Sequence, residues 1–450
     1  MRKWYEEAIF YHMYPFGMIG APKYNHHDHL EHHFDTLEQW LPHLEEIGIS
    51  ALYIGPLFES TSHGYDTKDY YKVDSRLGTN DEFAHFVETC HQHGIKVVVD
   101  GVFNHTGKEF FAFQDILQNR ENSPYRYWYK DVDFSRGAPT GEPFYFGAWQ
   151  NHYELANLNH YNEEVRHYLL DVIRYWIKEF DIDGIRLDCA DCLTFEFMNE
   201  MRQVVDQTKE DFWLMGELIH GDYSRWVKEG MLHSSTNYEL HKGLYSGHND
   251  HNYFEIAHSI RRQFDDNGGI YRGMKLYTFV DNHDVDRIAS KLNNPANLIP
   301  VHICLYTLPG IPSIYYGSEW GIEGKKQGGN DDPLRPKLDV EDKIQHNPHP
   351  ELTQLITKLG LLKKNYPALS YGKYKELMLT NRQYAYARVL EDTIIVVALN
   401  NDEEPAEVNI PIPMAKTSAI GLLEDETFTI DNGKLVVPLE ANSGKIFVLQ

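Results

Sequence analysis

Residues 96–105 read KVVVDGVFNH, a short apolar run, Lys96–Val102, that closes on Asp100, Asn104 and His105. An apolar run of this length is the pattern of a buried strand, and here polar groups collect at its C-terminal end. The form recurs along the chain. Further candidate strands are Ala8–Met13, Ala51–Ile54, Gly184–Leu187, Phe212–Gly216, Ser235–Tyr238, Leu276–Val280 and Ser313–Tyr316, eight in all. Amphipathic stretches separate most of them. Leu37, Leu41, Leu44 and Ile47 repeat at helical spacing after the first strand, and Phe83, Phe86, Val87 and Cys90 after the second. Val165, Tyr168, Leu169, Val172 and Ile173 do so before the fourth.

Alternating strands and helices predict a parallel sheet with right-handed crossovers. Eight such units predict an α/β fold of the closed (β/α)8 type, a TIM barrel, over an open doubly wound sheet. The absence of a G-x-G-x-x-G stretch and of a P-loop agrees. Between the third strand and its helix, residues 105–161 show no clear helical period and are dense in Tyr, Trp, Phe, Gly and Pro; a loop of this length reads as an insertion subdomain. From Leu369 the pattern turns to short strands, Tyr384–Val389, Thr393–Leu399, Leu435–Pro438 and Lys445–Leu449, with turns at Asn400–Asp402 and Asn432–Gly433. The expected domains are therefore 1–104 and 162–368 for the barrel, 105–161 for the insertion, and 369–450 for a C-terminal antiparallel β-sandwich.

Composition narrows the partners. The chain of 450 residues carries 67 acidic against 42 basic side chains, a net charge of −25 at pH 7. Such a field repels phosphate backbones and anionic lipid, so neither nucleic acid nor a membrane surface is an expected partner. It does not repel a neutral sugar, and aromatics, at 13%, offer flat faces that suit one. Four cysteines make no disulfide framework, and no apolar run approaches the ~18 residues of a membrane span. Glu6 and Glu7 interrupt the N-terminus before a signal-peptide core could form, so a cytoplasmic protein is expected. No motif speaks to oligomeric state.

In such a barrel the catalytic candidates are polar residues at the C-terminal strand ends. Strand four reads Gly184-Ile-Arg186-Leu-Asp188, strand five ends in Gly216-Glu217, and strand seven in Asp281-Asn282-His283-Asp284. Alternation puts Arg186 and Asp188 on one face. Asp188, Glu217 and Asp284 then converge on the barrel axis. Crowded carboxylates raise the pKa of one member, leaving a neutral acid beside an anionic nucleophile, as retaining glycoside hydrolysis requires.

These residues resemble those of the α-amylase family, the retaining hydrolases of α-glucans. The resemblance rests on DGVFNH (Asp100–His105), GIRLD (Gly184–Asp188), GE (Gly216–Glu217) and FVDNHD (Phe279–Asp284). HGYDTKDYYKVDSRLGT (His63–Thr79) and PGIPSIYYGSE (Pro309–Glu319) agree with it, and it spans about Trp4 to Pro367. It implies Asp188 as nucleophile, Glu217 as general acid/base and Asp284 as the third carboxylate, with Arg186 as the partner of the nucleophile. His105 and His283 would donate to the same glucose unit, on which Tyr65 would stack. Asp332 and Arg335 resemble the acid and arginine of a D-P-x-x-R element, one residue short. No cofactor is implied. Asn104 matches a calcium ligand of the family, but the rest of that site is not evident and calcium is not expected.

Finer features resemble the neopullulanase and cyclomaltodextrinase branch: Leu155–Asn159, Gly216–His220 and Asn237-Tyr238. Three departures stand out. The first strand begins by residue 8, so the branch's N-terminal β domain is not expected here. Ile219 replaces a Trp, and Asp191 and Cys192 replace the Lys-His of typical α-amylases. Cys189 and Cys192 have the spacing of a redox or zinc half-site, yet no second pair follows, so they read as structural thiols. His26, His27, His29, His32 and His33 read as a polar loop above the barrel rather than a zinc site. Phe144, Tyr145, Phe146 and Trp149 fit sugar stacking and a subdomain core equally well.

The expected function is hydrolysis, with retention, of α-1,4-glucosidic bonds in starch-derived malto-oligosaccharides or cyclodextrins. The alternatives are a 4-α-glucanotransferase using the same site and an inactive member of the family that acts as a binding protein. The expected partner is a neutral α-glucan oligosaccharide.

Overall fold

The computed structural model of the chain describes residues 2–450. Eight parallel strands carry its first part: β1 (Phe10–Met13), β2 (Ala51–Ile54), β3 (Lys96–Gly101), β4 (Gly184–Leu187), β5 (Trp213–Gly216), β6 (Ser234–Ser235), β7 (Tyr277–Phe279) and β8 (Ile311–Tyr315). Each pairs with its neighbours in the order β6-β5-β4-β3-β2-β1-β8-β7. A parallel bridge between Thr236 and Tyr277 closes β6 onto β7, and the Asn237 N–H donates to the Tyr277 carbonyl at 2.9 Å. The sheet is thus the (β/α)8 barrel expected from the strand–helix alternation.

Local chemistry explains the surrounding helices. Asn80–Gln92 opens on a capping box: the Thr79 hydroxyl accepts from the Glu82 N–H, and Glu82 accepts from Thr79. Phe83, Phe86, Val87 and Cys90 form its buried stripe. Glu163–Phe180 starts at Asn162, whose side chain accepts from the Glu164 N–H, and buries Val165, Leu169, Val172, Ile173 and Trp176 against the barrel. Among the described residues no helix is long and apolar enough to cross a membrane.

Two local expectations are corrected. Ser235–Tyr238 is not one strand: pairing ends at Ser235, and Tyr238 begins the helix Tyr238–Asn249, capped where the Asn237 side chain accepts from the Leu240 N–H at 3.1 Å. The insertion does contain a helix, Phe111–Asn119, whose buried stripe is only Ala112, Phe113 and Ile116. So short a repeat carries little periodic signal. His105–Thr106 pairs with the strand His152–Asn157, which anchors the insertion at the mouth of the barrel. Phe144 and Phe146 are fully buried with Phe113, so these rings are core rather than sugar platforms.

The last part is an eight-stranded antiparallel sandwich-like sheet. Its strands are β9 (Lys373–Leu379), β10 (Gln383–Leu390), β11 (Thr393–Asn400), β12 (Ala406–Pro411), β13 (Ser418–Gly421), β14 (Thr427–Asp431), β15 (Lys434–Leu439) and β16 (Ser443–Leu449). They enclose a core of Val396, Ile410, Val437 and Phe447. At the junction with the barrel, two buried basic side chains, Arg388 and Lys363, and the half-buried Lys275 hold carbonyl and hydroxyl groups. Arg388 donates to Thr307 O and Gly372 O, Lys363 to Ser370 Oγ at 3.1 Å, and Lys275 to Ser370 O. Burial pushes Lys275 down to about 8 and Arg388 to about 10.

Candidate active site

Strand alternation and the parallel register bring the polar strand ends together. Arg186, on β4, is buried at the centre. Its Nη1 donates to Asp100 Oδ1 and to Asp188 Oδ1, each at 2.9 Å, and its Nη2 stands 2.8 Å from Glu217 Oε1. One guanidinium therefore serves three carboxylates, from β3, the end of β4 and the end of β5. Asp100 is held further by the Tyr53 and Tyr65 hydroxyls, which donate to its Oδ2 at 2.8 and 3.1 Å. Gly55, just past β2, permits this approach: a Cβ there would lie 2.5 Å from the Asp100 Cβ.

The opposite wall comes from β7 and the loop after β8. Asp284 Oδ2 lies 3.1 Å from His283 Nε2, and Arg335 donates from Nη2 to Asp284 Oδ1 at 3.0 Å. Arg335 also donates to the His283 carbonyl at 3.1 Å. The Tyr65 ring stacks on that of His283. His105 is buried; its Nδ1 faces the Asn104 amide at 3.1 Å and its Nε2 has no protein partner. Asn104 spends the same amide nitrogen on His105 and on Asn157.

Asp332 is the exception. Its side chain is 69% exposed, with only Lys23 nearby at 4.0 Å. Asp331 meets Arg335 instead, at 3.2 Å. The turn Asp332–Leu334 thus leaves Asp331, and not Asp332, in contact with the arginine. In the histidine-rich loop 26–33, His27 is engaged by Glu59 at 2.7 Å and Glu109 at 3.0 Å, and His29 lies in solvent.

Electrostatics separates the carboxyls. Burial, reinforced by Asp188 and Asp284 and opposed by Arg186, pushes Glu217 up to about 8. Burial pushes Asp188 up to about 6, against the pull of Arg186. At neutral pH the arrangement is a protonated Glu217 beside an ionised Asp188. Burial lowers His105 to about 3 and takes His283 well below the usual range, so both rings are neutral. An Asp188 oxygen, a Glu217 oxygen and Cys189 Sγ all lie within 4.8 Å of one another.

Some members of this cluster went unread in the sequence. Tyr53 occupies the inward-facing position of β2, and a polar-tipped ring in an otherwise apolar strand was the available signal. His12, on β1, stacks on Tyr53 at 4.2 Å. Cys189, read in the sequence as a structural thiol, contacts Asp188 at 3.3 Å. Beside the cluster opens a cleft of about 1110 Å³, lined among others by Ile219, His220, Tyr238, Phe254 and His258.

A family model described as alpha amylase, catalytic domain, matches residues 34–356, and one described as alpha-amylase C-terminal domain matches 372–447. The chain is similar to a cyclomaltodextrinase of Geobacillus thermopakistaniensis (strain MAS1), 32% identical over 415 residues that cover 89% of this chain and 67% of that protein. It is similar also to an intracellular maltogenic amylase of Bacillus subtilis, 30% identical over 372 residues, 80% of this chain and 60% of that protein. The chain thus spans between three fifths and two thirds of the length of these two relatives. The solved structure of a cyclomaltodextrinase superposes with a TM-score of 0.87 at 26% identity, over 99% of this chain and 78% of that one.

Proposed function

The chain belongs to the α-amylase family and is an enzyme of it, and we propose from that premise that it hydrolyses α-1,4-glucosidic bonds of malto-oligosaccharides or cyclodextrins with retention of configuration. The observation that carries the reading is the closeness of two carboxyls with opposed protonation. An oxygen of Asp188 lies within 4.8 Å of one of Glu217, a closeness that suits a retaining pair, whose carboxyl groups stand ~5–5.5 Å apart.

In this mechanism Glu217 gives its proton to the glycosidic oxygen. An oxygen of Asp188 attacks the anomeric carbon, the carbon–oxygen bond to the leaving sugar breaks, and a glycosyl ester forms. Water then attacks that carbon, Glu217 takes the water's proton, and the ester bond returns its electrons to Asp188. Asp284, steadied by Arg335 and His283, takes ring hydroxyls; Tyr65, His105 and His283 line the same sugar. No cofactor enters this reading, since acid, nucleophile and binding groups are side chains. The substrate class draws support from the relatives named cyclomaltodextrinase and maltogenic amylase, and a cytoplasmic setting from the one named intracellular.

A second reading, glucan transfer, uses the same carboxyls with a sugar hydroxyl in place of water; the cleft that begins at Ile219, two residues past Glu217, is where an acceptor sugar would lie. Incubation with maltotriose, cyclodextrin and pullulan, with early products followed by proton NMR, tests both. The hydrolytic reading expects α-configured shorter sugars. Initial β product overturns the mechanism, and a predominance of chains longer than the substrate favours transfer.

A further inference from the structure

We propose that Cys189 is a positioning residue for this reaction, holding both catalytic carboxyls from the side that Arg186 does not reach. The inference rests on the reading of Asp188 as nucleophile and Glu217 as acid/base.

Arg186 engages one oxygen of each carboxyl, Oδ1 of Asp188 and Oε1 of Glu217. The other oxygen of each faces Cys189. Its thiol donates to Asp188 Oδ2 at 3.3 Å, and its backbone N–H donates to Glu217 Oε2 at 3.2 Å. Arginine and cysteine thus grip the pair from opposite sides. The second contact depends on an unusual backbone. Cys189 has φ 47° and ψ 49°, the left-handed region that a non-glycine residue seldom enters. That twist ends the β4 direction and starts the turn Ala190–Cys192. Strain of this kind persists where its surroundings over-determine it, and it concentrates at functional sites.

A thiol also suits the first contact. It is a weak donor, so it orients an oxygen without binding the lone pairs as firmly as a hydroxyl or N–H would. Oδ2 of Asp188 is therefore steadied and still available to attack. The charged and titratable groups around the sulfur are Asp188 just past β4, Glu217 after β5 and Cys192 on the next turn, and Asp188 itself faces Arg186 on β4 and Asp100 on β3. Burial, with the two nearest carboxyls, pushes the Cys189 thiol far up. Its proton stays on sulfur throughout the working range, which makes it a constant donor rather than a switch.

The test compares Cys189→Ala and Cys189→Ser, with circular dichroism and melting as controls on folding. Removing the donor in Cys189→Ala raises the acid limb of the kcat–pH profile by about 0.5–1 unit and lowers kcat at pH 6 roughly two- to fivefold, with KM nearly unchanged. Cys189→Ser restores a donor and returns the limb to the wild-type position or below it. A second readout needs no turnover. The infrared S–H stretch of Cys189, isolated as the wild-type minus Cys189→Ser difference, shifts upward when pH falls through about 6 and Asp188 takes a proton. An acid limb identical in all three proteins, or an S–H band indifferent to pH, overturns the proposal. A responsive band in a protein that cleaves no α-glucan overturns the functional reading instead and leaves the Cys189–Asp188 bond standing.

Discussion

Arg186 stands 2.8 Å from Oε1 of Glu217, the carboxyl whose proton the proposed reaction spends. A cation at that distance favours the carboxylate, yet Glu217 is pushed up to about 8. The reason is division. The same guanidinium also holds Asp100 and Asp188, so three buried acids share one buried base. Full ionisation would leave uncompensated charge in the barrel, and the proton remains on the member with the least support.

The pH dependence follows from that arrangement. Below about 6 Asp188 is protonated and cannot attack; above about 8 Glu217 has lost the proton it must donate. Plots of kcat/KM against pH are expected to be bell-shaped with limbs near these values, which belong to the interacting pair rather than to either residue alone. A plateau extending well above pH 9 would remove Glu217 as the acid.

Replacing either group isosterically separates chemistry from folding. Asp188→Asn and Glu217→Gln are expected to lower kcat by several orders of magnitude with little change in melting temperature. Retention of about a tenth of wild-type turnover by either folded variant would refute its role.

Gly55 offers a test of the support behind the cluster. Its missing Cβ would lie 2.5 Å from the Asp100 Cβ, so Gly55→Ala must displace the acid that shares Arg186 with Asp188. The expected result is a loss of ~1–3 kcal/mol in stability and at least a roughly tenfold fall in kcat, read by denaturant unfolding and by turnover.

Substrate length is the next expectation. Ile219, 49% exposed, lines the cleft and replaces the Trp that the family resemblance implies, and Asp191 and Cys192 replace the implied Lys-His, so the proposed leaving-group side lacks a stacking wall and a cationic donor. Each missing contact is worth on the order of 1 kcal/mol. Short soluble malto-oligosaccharides are expected to give higher kcat/KM than amylose or raw starch granules. Ile219→Trp is expected to narrow that gap about fivefold. Faster cleavage of amylose, by random internal cuts from the first turnovers, would refute the short-substrate reading.

The parts legible in the sequence were those set by local spacing. Asp100, Arg186, Asp188, Glu217 and Asp284 sit at the ends of short apolar strands, and alternation alone puts Arg186 and Asp188 on one face. What escaped depends on turns and on contacts between distant segments. Whether Asp331 or Asp332 reaches Arg335 is decided by one tight turn. The hydrogen bond from Tyr53 to Asp100 spans 47 residues. Tyr238 looked like the end of a strand because the cap on Asn237, which starts a helix there, leaves no periodic trace. Cys189 read as a packing thiol because its role rests on a backbone dihedral that residue type does not reveal.

The cations at the junction bear on how this molecule could be taken apart. Lys275, Lys363 and Arg388 find carbonyl and hydroxyl oxygens around residues 369–372 and Thr307. Lys275 and Lys363 belong to the barrel side and Arg388 to β10, so both halves contribute to one shared seam. A cut there would strand basic side chains without their acceptors. The C-terminal sheet is accordingly not a cassette to be trimmed or exchanged with that of another enzyme: a chimera would have to transplant the seam, residue for residue, along with the sheet.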